Sequence, residues 1–204
     1  MWMELSLLMA AMVVALGLQP WRALPAEGPP WAWLAWWSIM PVLWGADSLS
    51  HVPLVQPLSG ACLLALMAGW PLTMLALLPV AVVTCWLGGL PWEAGATRLL
   101  WLGVMPATLA FGLGLGIRRW LPNHLFVYIL GRGFFAPAVA ITLAGALALA
   151  VQGPPHGISS EDTLLGRWLS AWGDAFLTGG LTAIFVAFRP QWLATYSDRL
   201  YLPR

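Results

Sequence analysis

The sequence contains no lysine; its nine basic residues are all arginine, set against eight acids. There is no polybasic run, which excludes the concentrated positive surface that nucleic-acid binding needs. Charge of either sign is scarce: 8% of the 204 residues are charged, where a soluble domain carries roughly 25%. With 60% hydrophobic residues and a mean hydropathy of +0.80, the chain cannot cover a water-facing surface. It reads as one integral domain over residues 1–204, all-α, a polytopic transmembrane helix bundle in a lipid bilayer. Cysteine is nearly absent. Cys62 and Cys85 lie inside apolar runs and read as small hydrophobes, not as a disulfide or a metal pair. Catalytic signatures are missing too: no G-x-S-x-G, no H-E-x-x-H, no pair of intramembrane acids and no P-loop. The expectation is a chain that is not an enzyme and does not hydrolyse nucleotide itself.

What is abundant is tryptophan, fifteen residues. Tryptophans of this kind form interfacial belts and bulky packing; a stacking platform for a ligand is the alternative. The apolar runs give about seven spans: 1–18, 31–45, two within 54–90, 99–117, 125–151 and 164–188. The uncharged stretch 54–90 is too long for one span and is expected to break at Gly69-Trp70-Pro71. Segments 91–98 and 152–163 read as loops, and Gly131-Arg132-Gly133 with Pro137 as an interruption of the sixth span.

Seven spans place the chain ends on opposite sides. Arg22, Arg118, Arg119, Arg189, Arg199 and Arg204 then share the carboxy-terminal side, against Arg98 and Arg167 on the other. The positive-inside rule puts the amino terminus outside and the carboxy terminus in the cytoplasm.

The last run is the most informative. Asp174 sits inside it, with Thr178 and Thr182 on the same helical face, and Gly179-Gly180 leaves room for a neighbouring backbone. Trp192 and Tyr196 follow, of the type that anchors at a membrane surface. An ionisable residue deep within a span is a functional candidate, and Arg132 is the other one singled out. Counted at 1.5 Å per residue, Arg132 lies about 12 Å and Asp174 about 21 Å from the cytoplasmic end. The natural expectation is that they pair. The alternative is that Arg132 snorkels to the interface while Asp174 bonds to threonine or backbone groups. Three histidines, His51, His124 and His156, are possible metal ligands, without any paired spacing. Met1 with its amine, Met3, Glu4, Asp47 and His51 gather at the outward end and offer a soft-to-borderline donor set for a transition metal. Of these, His51 and Met1 are the leading candidates.

Two segments carry a family likeness. Residues 121–129, LPNHLFVYI, resemble an LPxHxFVYI segment, and Asp174-Ala175-Phe176-Leu177-Thr178-Gly179 followed by Arg189-Pro190-Gln191-Trp192 is similar to an (E/D)AFLTG…RPQW ending. The tail from Asp198 to Leu202 and the stretch from Gly60 to Trp70 are also similar. The chain thus resembles the cobalt/nickel transport membrane proteins of the CbiM type, permease components of energy-coupling factor ABC transporters. The resemblance implies a seven-helix, substrate-capturing component in the bacterial inner (plasma) membrane. It would bind a divalent metal, cobalt or nickel, and work with a transmembrane coupling subunit and cytoplasmic ATPases. His124, Tyr128 and Arg189 are the family-motif residues. The family begins Met-His and places a second histidine where this chain has Pro57; here Trp2 and Pro57 stand instead. The resemblance therefore implies an altered metal site, and the alternative function is a membrane scaffold or assembly subunit that kept the fold and lost the metal.

Overall fold

The computed structural model of the chain describes residues 2–23, 28–50, 56–155 and 157–201. Among them there is no strand; regular structure is helical throughout. The helices are α1 (Trp2–Gly17), α2 (Trp31–Trp44), α3 (Ala46–Ser50), α4 (Ala61–Ala68), α5 (Trp70–Gly88), α6 (Trp92–Trp120), α7 (Val127–Gln152), α8 (Ser160–Phe188) and α9 (Asp198–Tyr201). Four of them, α5 to α8, are long and apolar enough to cross a membrane. The others are shorter: α1 has 16 residues, α2 has 14 and α4 has 8.

The break at Gly69 falls where Gly-Trp-Pro marks it. Gly69 has φ +81°, a backbone state open to glycine, and Pro71 sits in the first turn of α5. Other boundaries differ from the sequence reading. Residues 56–60 are not helical, so the third segment contributes only eight helical residues. The cause is Ser59-Gly60, with Gly60 at φ +63°. Residues 92–98 form the first turns of α6 instead of a loop; Pro91 precedes them and Glu93 lies in the first turn, both ordinary helix-start signals. Helix α8 begins four residues early because the Ser159 hydroxyl accepts from the Asp162 amide at 3.0 Å and donates to its carboxylate at 2.7 Å.

The sixth segment is not interrupted. Residues Val127–Phe135 are π-helical and run directly into the rest of α7. Leu99–Val104 in α6 behaves in the same way. Each wide stretch ends just before a proline in the following turn, Pro137 and Pro106. A proline has no N–H for the carbonyl four residues back and clashes with it; widening the preceding turns accommodates it without a break.

Small residues set how closely the long helices approach. A Cβ on Gly179 would lie 3.1 Å from Phe134 Cβ and 3.5 Å from the Gly133 carbonyl, whereas Gly180 faces open space. Only Gly179 performs the packing role expected of the pair. Gly103 on α6 is covered by Trp44 and Leu77, at 2.8 and 3.0 Å from an added Cβ. The short helix α4 is buried along all eight residues, so it lies at the centre of the bundle with the longer helices around it.

Candidate functional site

A helix of eight residues leaves nearly all its end groups unsatisfied, because the first four N–H and last four C=O groups have no helical partner. In an apolar interior each such orphan costs several kcal/mol. Helix α4 is therefore tenable only if other parts of the chain supply partners. They do so at both ends, and the suppliers come mainly from the last third of the sequence.

At the first end, Asp174 Oδ2 accepts from the backbone N–H of Ser59 at 2.5 Å and of Gly60 at 3.0 Å. The Asp174 side chain is buried, 1% exposed, and Thr178 Oγ1 donates to Oδ1 at 3.4 Å. A carboxylate at a helix start also meets the positive end of the helix dipole. The carbonyls of the same two residues are used as well: Trp44 Nε1 donates to Ser59 O at 2.7 Å and Trp36 Nε1 to Gly60 O at 2.9 Å. Ser59 Oγ accepts from Ala61 N at 3.1 Å and donates to Leu102 O at 2.6 Å. The Leu102 carbonyl is the one that Pro106, four residues on, cannot use, so the proline in α6 supplies an acceptor for Ser59.

At the second end, the tail after α8 folds back. Ala194 N donates to Met67 O at 2.9 Å, and Thr195 N donates to Leu66 O at 3.3 Å. Thr195 Oγ1 adds a bond to Leu66 O at 3.0 Å and pairs with Tyr128 Oη at 2.8 Å. Tyr196 does not anchor at a surface: it is buried, 4.9 Å from the Tyr128 ring and 5.4 Å from Tyr201, and the docked tail holds it there. Trp192 packs edge-on to Trp31 and Phe185 and accepts from Trp33 Nε1 at its carbonyl.

The two ionisable residues singled out in the long apolar helices, Arg132 and Asp174, do not pair. Asp174 bonds to backbone and threonine, and Arg132 is 7% exposed instead of reaching the interface. Its Nη1 is 3.4 Å from both Thr195 O and Tyr201 Oη, and its guanidinium lies 5.4 Å from the Tyr128 ring centre. Gly114 makes room for it, since a Cβ there would meet Arg132 Nε at 3.0 Å. Thr182, on the same face as Asp174, is fully buried beside Gly133, and its hydroxyl has no partner. Of the motif residues, Tyr128 is buried, Arg189 is exposed at the end of α8, and His124 is exposed and stacks on Phe126.

The expected metal donors divide. His51, Met1 and His156 lie outside the described residues. Glu4 accepts from Trp101 Nε1 at 2.8 Å and Gln152 Nε2 at 2.9 Å. Asp47 forms a two-point ion pair with Arg98, at 2.8 and 2.7 Å, and Arg98 also donates to the Trp44 carbonyl. Burial pushes the Asp47 carboxyl up, but the Arg98 hydrogen bonds and charge outweigh it and hold it below the ordinary value. Among the described residues no three His, Cys, Asp or Glu side chains converge.

Comparison of the chain with protein-family models, with curated proteins and with solved structures returned no match. The likeness to the cobalt/nickel permeases rests on the sequence motifs alone.

Ser59, Thr195 and the carbonyl of Leu102 are absent from the sequence-derived candidates. Ser-Gly at 59–60 is a turn signal in its own right and could have marked the start of α4. Nothing local to Thr195 marks it, because its partners lie on α4 and α7.

Proposed function

We propose that this chain is the substrate-capturing permease component of an energy-coupling factor transporter, acting in transition-metal uptake at the bacterial inner membrane. In this reading it crosses the membrane seven times, the segment 56–68 counting as one pass, with the amino terminus outside and the carboxy terminus in the cytoplasm. A transmembrane coupling subunit and cytoplasmic ATPases drive it. One observation carries the reading: Asp174, a residue of the permease-like motif, holds the first end of α4, and Ala194 and Thr195, two and three residues after the motif's Arg189-Pro190-Gln191-Trp192, hold the second. Discontinuous helices near mid-membrane are a recurrent feature of transporter sites.

The test is purification from cells that overproduce the chain with its native genomic neighbours. Co-purification of an ATPase and a second membrane subunit, with cobalt- or nickel-dependent uptake, is the expected result. A stable chain that isolates alone and leaves uptake unchanged removes the reading. A cytoplasm-active reporter fused after Arg204 should give signal, and a stably expressed but silent fusion reverses the orientation.

A scaffold subunit is the second reading, favoured by how the tryptophans are used. Trp33, Trp36, Trp37 and Trp44 all donate to backbone carbonyls, and so act as packing struts. Trp33 and Trp37 also line an apolar groove of about 300 Å³ with Leu64, Leu72 and Pro79. Its walls offer no ligand for a hydrated ion.

A further inference from the structure

Three arginines stand at one end of the long helices, and among the described residues none of them has a carboxylate partner. Arg118 and Arg119 lie in the last turn of α6, and Arg189 follows the last residue of α8. All three are exposed. Helix α7 packs against both of these neighbours near the same end. A Cβ on Gly131 would lie 3.2 Å from Ile117 on α6, and one on Gly133 would lie 3.0 Å from Thr182 on α8. The described acid at this end is Asp198, in the docked tail.

The opposite ends of the same helices carry the reverse charge. Helices α6 and α8 begin with Glu93, Glu161 and Asp162, all exposed. The two arginines near that end are both engaged, Arg98 by Asp47 and Arg167 by the Gly145 carbonyl. Free positive charge is therefore confined to one end of α6 and α8. Large apolar side chains accompany it there: Trp120 closes α6, Phe126 precedes the π-helical turns of α7, and Phe188 closes α8, each more than half exposed. Arginine beside an exposed ring, at the end of a helix of membrane length, belongs at the depth where headgroups meet acyl chains.

We infer that this end of α6, α7 and α8 is a docking surface for anionic phospholipid. Arg118, Arg119 and Arg189 supply the charge for its phosphate, and Trp120, Phe126 and Phe188 the apolar contact for its chains. Charge complementarity selects the lipid. A zwitterionic headgroup brings its own ammonium to a surface that is already positive, whereas an anionic one does not. A free anion would have no use for the rings. The inference rests on α6 to α8 crossing a bilayer, and not on the transport reading.

The experiment uses the full chain purified in a neutral maltoside detergent, with lipid added to the micelles. Dioleoyl phosphatidylglycerol should raise the unfolding midpoint saturably, by about 3–6 °C at about ten times its half-saturating concentration. Dioleoyl phosphatidylcholine, with the same chains, should raise it much less, and glycerol phosphate should leave it unchanged. The phosphatidylglycerol shift should be lost when Arg118→Gln and Arg119→Gln are combined, and reduced in Arg189→Gln. Glu93→Gln, at the opposite end, should retain it in full. These four side chains are exposed, so their replacement leaves the packing intact. An absent shift, or an equal one with phosphatidylcholine, overturns the inference, because chain burial alone would then be at work. An equal shift with glycerol phosphate overturns the lipid as occupant. A shift that survives all the arginine variants puts the lipid elsewhere on the bundle and overturns the surface.

Discussion

Asp174 satisfies two backbone N–H groups and a hydroxyl with one side chain. Removing it leaves buried donors unpaired, each costing about 1–3 kcal/mol. Asp174→Leu should therefore lower the detergent unfolding midpoint sharply. Asp174→Asn, which keeps an accepting oxygen, should lower it less. Asp162→Leu, at an exposed helix start, should cost only about 1 kcal/mol. Equal midpoints for the two leucine variants would contradict the capping role. Asp47 gives a test by pH. Its folded-state carboxyl is held below the ordinary value, so its pairing stabilises the fold above the unfolded-state value. That contribution is lost as pH falls from about 4 through the depressed folded value. Asp47→Asn should be less stable than the parent near neutral pH by about 1 kcal/mol, since the pair is partly exposed. The gap should close in acid; one that stayed constant from pH 7 to 3 would argue against the ion pair as its source.

Between the helices, the closeness of α7 and α8 depends on Gly179 and not on its neighbour. Gly179→Val should force the helices apart at Phe134 and cost about 1–3 kcal/mol, whereas Gly180→Val, facing open space, should cost much less. Equal losses would mean that the contact is not tight. The adjacent glycines look alike in sequence, and only helical phase separates them. The same limit governs the rest of what could be read. The apolar runs, the break at Gly69 and the buried Asp174 were legible because composition and local turn chemistry mark them. The π-helical turns before Pro106 and Pro137 were not, because a proline in an apolar run signals a break as readily as a widened helix. The separation of Arg132 from Asp174 was not legible either: depth along two helices says nothing of which backbone amides lie beside the acid.

For the whole bundle, the docked tail is the element that closes one end. The Ala194 and Thr195 amides lie outside any helix yet donate to Met67 and Leu66. In hydrogen exchange they should be protected like the helical core, and exchange as fast as exposed loop amides would show that the tail is not docked. The dependence of α4 on distant partners also sets an order of events during synthesis. Its first-end cap lies 115 residues away in sequence, and one of its second-end donors lies 129 residues away. At roughly 5–20 residues per second, the ribosome needs on the order of ten seconds after making α4 to deliver what completes it. Throughout that interval eight apolar residues, too few to cross a bilayer by themselves, lack the Asp174 cap and the donors of the tail. The amino-terminal half must wait in an unfinished arrangement, and a nascent chain stalled before Asp174 should be a substrate for membrane quality control.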